Sequence, residues 1–374
     1  MEIEHYHWLV YMVAFLAAFS VTVATTPLAK RISVRLNAID HPKARGLGVN
    51  KTPRLGGIAI VLGFMAAMFV LVPFMGGFSV VQFSGFIVGS LLIVGLGIAD
   101  DVLDVNAKIK LAVQLGAALI LVFTGTRIDM IMWPFVIPQE ILDVISVPIT
   151  IVWIIAVTNA VNLIDGMDGL AAGVSSISSV VLLILCILSG EPMAVVFSAA
   201  LAGSSMGFLP RNFNPAEIYM GDTGATFLGY VLAATSIMGL FKTYTLLSVM
   251  VAILAMALPI LDTAFAFVRR LLNHQPIMTA DRGHLHHRLI DAGYTQKQSV
   301  TILYVISLIT GAMALIIAVA DPIVFGLSAV SLFTICVVIY LYRKRVKGTE
   351  ATMTKDVAEE PMASTEAEVS DLSK

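Results

Sequence analysis

Apolar residues along this chain do not alternate with polar ones; they run together in blocks of bilayer length, separated by short polar stretches. A membrane-crossing helix needs about 17 to 25 mainly apolar residues. Blocks of that size occur at 8–29, 55–74, 80–99, 108–124, 141–160, 170–189, 193–210, 224–241, 244–268, 299–320 and 322–342. The pattern predicts an all-α polytopic transmembrane bundle of eleven spans. Linkers as short as Gly190-Glu191-Pro192 and Asp321-Pro322 force antiparallel neighbours. The first block follows Glu2, Glu4, His5 and His7 rather than a basic leader, so it reads as a retained span.

Composition agrees: 58% of the 374 residues are hydrophobic and 13% charged, against about a quarter charged in soluble domains. An ordinary soluble enzyme is thereby excluded. So is a disulfide framework, since the only cysteines are Cys186 and Cys336, each inside an apolar block.

Charge placement orients the bundle. Lys30–Arg54 holds seven basic residues and Arg269–Lys297 holds five. Placing both segments in the cytoplasm leaves only Arg127 and Lys242 outside, which predicts an outer N-terminus and a cytoplasmic C-terminus. The net charge of −2 then divides into −5 outside, +8 on the cytoplasmic face and −5 in the tail from Gly348. A basic face of this kind suits anionic substrates, and nothing in the pattern points to nucleic acid. Residues 1–347 are expected to form one transmembrane domain and 348–374 an acidic, disordered cytoplasmic tail.

Against this background several carboxylates stand out, because an ionised group at a helix centre costs roughly 2.5–3.5 kcal/mol to insert. Asp100, Asp101 and Asp104 close the third span; on a continuing helix Asp100 and Asp104 share a face, and Lys108 and Lys110 or a divalent cation would offset their repulsion. Asn159, Asn162, Asp165 and Asp168 recur every third residue at the end of the fifth span, interrupted by Gly166 and Gly169. Asp222 sits between glycines at the mouth of the eighth. Oxygen donors of this kind suit Mg²⁺, which takes one or two carboxylates together with phosphate oxygens. The stretch Asp281-Arg-Gly-His-Leu-His-His-Arg288 offers anion or sugar donors, and its spacing matches no standard zinc site. Lys43, Arg45, Lys51 and Arg54 either grip a diphosphate or serve topology. Asp262 is open between a function and a pairing with Arg269 or Arg270.

The motifs Pro53-Arg-Leu-Gly-Gly57, Asp100-Asp-Val-Leu-Asp104, Asn159-Ala-Val-Asn-Leu-Ile-Asp-Gly-Met-Asp-Gly169, Met220-Gly-Asp-Thr-Gly224 and His284-Leu-His-His-Arg-Leu289 together resemble the polyprenyl-phosphate N-acetylhexosamine-1-phosphate transferases. Within that family the His-Leu-His-His-Arg loop resembles the branch that transfers GlcNAc-1-phosphate from UDP-GlcNAc to undecaprenyl phosphate, releasing UMP. The peptidoglycan branch, which uses UDP-MurNAc-pentapeptide, is the alternative, and a transporter or flippase is the non-enzyme one. The resemblance implies catalysis by Asp100 and Asp101 with Lys108. It implies Mg²⁺, or Mn²⁺ in its place, at Asp222 and Asp101. A nucleotide-sugar pocket would comprise Asn159, Asn162, Asp165, Asp168, His284, His286, His287 and Arg288, and Lys51, Arg54 and Lys110 would hold the lipid phosphate. It further implies a cytoplasmic-face site in a bacterial plasma membrane, with membrane lipids as surroundings and a homodimer as an open alternative. Direct attack by the lipid phosphate and a covalent route through an aspartate are both compatible with these residues.

Overall fold

The computed structural model describes residues 7–40, 51–71, 79–128, 139–240, 246–272 and 284–319. The predicted last span, the acidic tail, Lys43, Arg45, Asp281 and Arg282 lie outside these residues. Helices make up nearly all of what is described: α1 (His7–Arg35), α2 (Gly57–Leu71), α3 (Val80–Leu103), α4 (Ala107–Phe123), α5 (Gln139–Ile164), α6 (Leu170–Ser189), α7 (Pro192–Asn212), α8 (Gly221–Leu240), α9 (Leu246–Ala255), α10 (Ala257–Leu272), α11 (Leu285–Asp291) and α12 (Gln296–Val319). A two-residue antiparallel ladder, β1 (Ile39–Asp40) on β2 (Thr52–Pro53), is the only strand pairing among the described residues. Seven helices are long and apolar enough to cross a membrane, or up to eight if the bent α9–α10 pair is one span. The protein is therefore an all-α polytopic membrane protein.

Each predicted apolar block up to residue 320 falls on a helix, but the ninth is not straight. α9 and α10 meet at Met256 at 95°. Pro259 has no N–H to give the carbonyl of Ala255, and its ring crowds that turn, so the chain restarts as a new helix there. Other boundaries follow local chemistry. Ser79 caps α3, its hydroxyl accepting from the Gln82 N–H, and Asn106 caps α4 through Lys108 N–H. Gly169 and Gly190, both at positive φ, bracket α6.

α8 is the axis of the bundle and is buried from Thr223 to Leu240. It packs against α2, α3, α5, α6 and α7, while α1 covers α2 and α7. Small residues let the backbones close up, as is usual where lipid offers no hydrophobic drive between helices. A Cβ at Gly229 would lie 2.7 Å from the Thr158 Cα and 2.9 Å from the carbonyl oxygens of Val157 and Thr158. Above this contact Phe64, Phe86, Phe197 and Phe227 form an aromatic cluster, with Phe64 edge-on to Phe197 and Phe227. Gly229→Leu is expected to lower the melting temperature of the detergent-solubilised protein sharply, since backbone cannot yield as a side chain can and overpacking costs about 1–3 kcal/mol or more. Gly116→Ala, where an added Cβ meets nothing within 4 Å, is the control that leaves melting unchanged or slightly raised.

Candidate active site

The site grows from one carboxylate. Asp101, in the last turn of α3, has a fully buried side chain. Its Oδ1 accepts from Arg54 Nε at 3.1 Å and Asp222 N–H at 3.0 Å; its Oδ2 accepts from Thr223 N–H at 3.0 Å and Thr223 Oγ1 at 2.6 Å. Asp101 thus caps the N-terminus of α8, satisfying two of its orphan N–H groups and facing the positive end of its dipole. Four donors fill the acceptor capacity of a carboxylate. Arg54 arrives because its strand is stitched alongside: Tyr219 N–H donates to Pro53 O at 2.8 Å, Gly56 N–H to Tyr219 O at 2.9 Å and Gly57 N–H to Met220 O at 2.8 Å. The Pro-Arg-Leu-Gly-Gly and Met-Gly-Asp-Thr-Gly motifs are in effect one backbone unit. Gly221, at φ +68°, leaves no room for a Cβ beside the Arg54 carbonyl and the Asp101 carboxylate.

Next to this anchor, two carboxylates converge on a single ammonium. Lys110 Nζ lies 2.5 Å from Asp100 Oδ2 and 3.1 Å from Asp222 Oδ2, and Asn162 Nδ2 donates to the same Asp222 oxygen at 3.3 Å. Val105 N–H holds the other Asp100 oxygen at 2.8 Å. The helix ends at Leu103, so Asp104 does not continue the face of Asp100. It adopts a left-handed C-cap, its N–H returning to the Asp100 carbonyl, and its side chain is exposed. Lys108 likewise is exposed, two residues from Lys110 and so on another face of α4.

The three-residue repeat of Asn159, Asn162, Asp165 and Asp168 is split by the end of α5 at Ile164. Asn159 faces α4, exchanging amide hydrogen bonds with Gln114 at 2.7 and 3.3 Å. Asp165 and Asp168 lie in the loop beyond and line a pocket of about 290 Å³ together with Asp40, Arg54, Tyr219 and Asp222. Burial, then the charges of Asp222, Asp101 and Asp168, push the Asp165 carboxyl up to about 8. Asp168 Oδ2 accepts from Ala216 N–H at 3.0 Å and Asn214 Nδ2 at 2.9 Å, which pins the loop leading into α8.

The histidine loop closes on the same side. Asp262 of α10 accepts from His284 Nδ1 and Leu285 N–H, each at 2.9 Å, rather than from Arg269 or Arg270. His284 stacks on His286, which is buried and lies against Gly166, where an added Cβ would sit 2.6 Å from Nε2. Burial, reinforced by His287, pushes His286 down to about 4, so it is neutral at physiological pH. His287 packs its ring on His286 at 4.3 Å. Arg288 is exposed and lines a separate, mainly apolar pocket with Leu261, Phe265 and Arg269. Lys51 is exposed.

The fold therefore brings together Asp100, Asp101, Asp222, Asn162, Asp165, Asp168, Arg54 and Lys110, with His286 bordering them. Lys108 lies on another face of α4 and Arg288 lines a separate pocket, while Lys51 is exposed and does not line this one. Asp40, Tyr219, Asn214 and Gln296 went unread in the sequence. Tyr219 stands one residue before the Met-Gly-Asp motif, but Asp40 and Gln296 reach the pocket through folding alone.

Fold and site together define a polytopic membrane protein whose chemistry-bearing carboxylates meet at one end of a helix bundle. The model of the family described as "Glycosyl transferase family 4" matches residues 83–240. Over 306 residues the chain is 38% identical to the Bacillus subtilis (strain 168) "Probable undecaprenyl-phosphate N-acetylglucosaminyl 1-phosphate transferase", covering 82% of this chain and 84% of that one. It is 34% identical over 320 residues to the Mycobacterium leprae (strain TN) "Decaprenyl-phosphate N-acetylglucosaminephosphotransferase", covering 77% and 79%. Against the Salmonella typhi "Undecaprenyl-phosphate alpha-N-acetylglucosaminyl 1-phosphate transferase" identity is 25% over 290 residues, covering 74% and 75%. The chain belongs to glycosyl transferase family 4.

Two outcomes follow from the geometry. Asp101→Asn should lower the melting temperature far more than Asp165→Asn, because it turns an NH₂ towards buried donors; breaking a buried ion pair costs on the order of 3 kcal/mol. His286 titrates near 6.5 when unfolded and at about 4 when folded, so between those values the unfolded chain binds the extra proton. Stability should accordingly fall as pH drops through that window, and His286→Gln should flatten the dependence of melting temperature on pH there.

Proposed function

We propose that the protein transfers GlcNAc-1-phosphate from UDP-GlcNAc to undecaprenyl phosphate, giving undecaprenyl-diphosphate-GlcNAc and UMP, as the first lipid-linked step towards a cell-envelope polysaccharide or wall teichoic acid. The observation that carries this reading is the gathering of Asp100, Asp222, Asp165 and Asp168 with Arg54 and Lys110 at one end of a membrane bundle. There a lipid acceptor and a water-soluble donor can meet. The names of the relatives favour GlcNAc over the peptidoglycan donor. A transporter would instead carry its carboxylates near mid-span in two related halves. By the distribution of lysines and arginines the site faces the cytoplasm, the N-terminus lies outside and the bundle has eleven spans.

The donor set fits Mg²⁺. Among the described residues no group of three or more His, Cys, Asp or Glu is arranged to hold a metal alone, and Mg²⁺ asks only for one or two carboxylates plus phosphate and water oxygens. Asp222 and Asp100 supply that pair; Asp101 has no acceptor to spare. The pocket itself argues for a cation, because five aspartates and one arginine line it and a nucleotide diphosphate would otherwise be repelled. Bound there, Mg²⁺ would neutralise charge developing on the departing UMP.

The remaining roles belong to side chains. An oxygen of the lipid phosphate attacks the sugar-linked phosphorus, forming one P–O bond as the bond to UMP breaks. Lys110 neutralises phosphate charge beside Asp100 and Asp222, and the acceptor phosphate, with a second pKa of about 6, attacks as its dianion. Tyr219, which lines the pocket, would supply an aromatic ring for the base to stack on. His286, being neutral, contributes hydrogen bonding rather than charge.

Purified protein with undecaprenyl phosphate and Mg²⁺ should release UMP from UDP-GlcNAc but not from UDP-MurNAc-pentapeptide, and EDTA should abolish release. Asp222→Asn should melt like the wild type yet lose roughly 100-fold or more in rate. Normal release by that variant would overturn the metal assignment.

A further inference from the structure

One hydrogen-bond chain at the pocket joins Asp168 to two residues that belong to none of the motifs. Asn214 Nδ2 donates both to Asp168 Oδ2 at 2.9 Å and to Gln296 Oε1 at 2.8 Å. A carboxylate only accepts, and this oxygen also receives the Ala216 N–H. The Asn214 amide must therefore turn its NH₂ towards Asp168, and Gln296, receiving the second hydrogen, must turn its oxygen towards Asn214. The acidic residue thus sets the polarity of the whole chain. What remains is the Gln296 NH₂, a donor of fixed orientation on a side chain that lines the pocket.

Its backbone is fixed as well. Thr295 and Gln298 cap each other reciprocally at the start of α12, Gln298 N–H to Thr295 Oγ1 at 3.3 Å and Thr295 N–H to Gln298 Oε1 at 2.9 Å. One helical stretch further on, Tyr304 Oη donates to Gly169 O at 2.5 Å, tying α12 to the loop that carries Asp165 and Asp168. The Tyr219 hydroxyl and Arg54 also offer donors at the lining, and Arg54 Nε is committed to Asp101.

We propose that Gln296 is a specificity-determining residue of the donor pocket, its amide NH₂ binding a carbonyl oxygen of the nucleotide sugar. This rests on the functional reading above. A neutral, directional donor in an acidic pocket suits a carbonyl better than a phosphate oxygen, which cations already serve. A UDP-N-acetylhexosamine carries carbonyls in its uracil ring and in its acetamido group.

Two variants test the assignment. Gln296→Glu keeps an acceptor for Asn214 but removes the donor, and Gln296→Leu removes the donor without adding charge. Both should raise the KM for UDP-GlcNAc about tenfold, the effect of one lost hydrogen bond that leaves a partner unpaired, with a smaller change in kcat; Gln296→Glu should also keep the wild-type melting temperature. UMP as a competitive inhibitor separates the two carbonyl sources. A parallel rise in its inhibition constant assigns the uracil carbonyl, and an unchanged constant assigns the acetamido one. Wild-type KM in both variants would overturn the proposal, as would a loss confined to kcat and melting temperature. A wild-type protein that releases no UMP from UDP-GlcNAc would overturn the functional reading instead.

Discussion

Everything at the working end of this protein depends on the contact between the Asp101 carboxylate and the first turn of α8. It joins three segments distant in sequence: the end of α3, the Arg54 strand and the Gly221-Asp222-Thr223 turn. A buried carboxylate is costly unless its oxygens are filled, and here each is filled twice. The same bonds aim Asp222 outward, beside Asp100 and Lys110. Removing the contact would leave α8 with unsatisfied amides and Asp222 with no defined direction, so the anchor and the placement of Asp222 are inseparable.

This division of labour between adjacent aspartates has an electrostatic consequence. Asp101 spends its charge on a helix dipole and an arginine, whereas Asp100 and Asp222 share one lysine. The second pair is under-neutralised, with Asp165 and Asp168 close by, and burial among those charges already drives Asp165 towards its protonated form.

The helical blocks and their polar ends were legible in the sequence, because a run of apolar residues has a single physical reading once it exceeds bilayer length. Which of two neighbouring polar residues faces inward was less so. Asp100 and Asp101, or Lys108 and Lys110, differ by a fraction of a helical turn whose phase is set by tertiary contacts. Asn159 looked like part of a polar stripe, but α5 stops before Asp165, and Asn159 instead satisfies Gln114 of α4. The α9–α10 bend was not legible, because hydropathy alone cannot distinguish a bent span from a straight one. Asp262 chose a histidine over the arginines of its own helix because α11 brings a free N–H and an imidazole to it at once.

The burial of α8 bears on how the chain is made. It has the lowest mean hydropathy of the seven candidate spans, 1.4 against 2.6 for α12, and yet it is wholly enclosed while α12 is 22% buried. Apolarity is thus no measure of a helix's place in the core: α6, at 2.4, is 72% buried, while α1, at 1.9, is 22% buried. Apart from α9, every helix that packs closely on α8 precedes it in the chain. During biogenesis α8 can thus enter a slot already walled by protein, and the aspartate that receives its first turn has been waiting since 121 residues earlier.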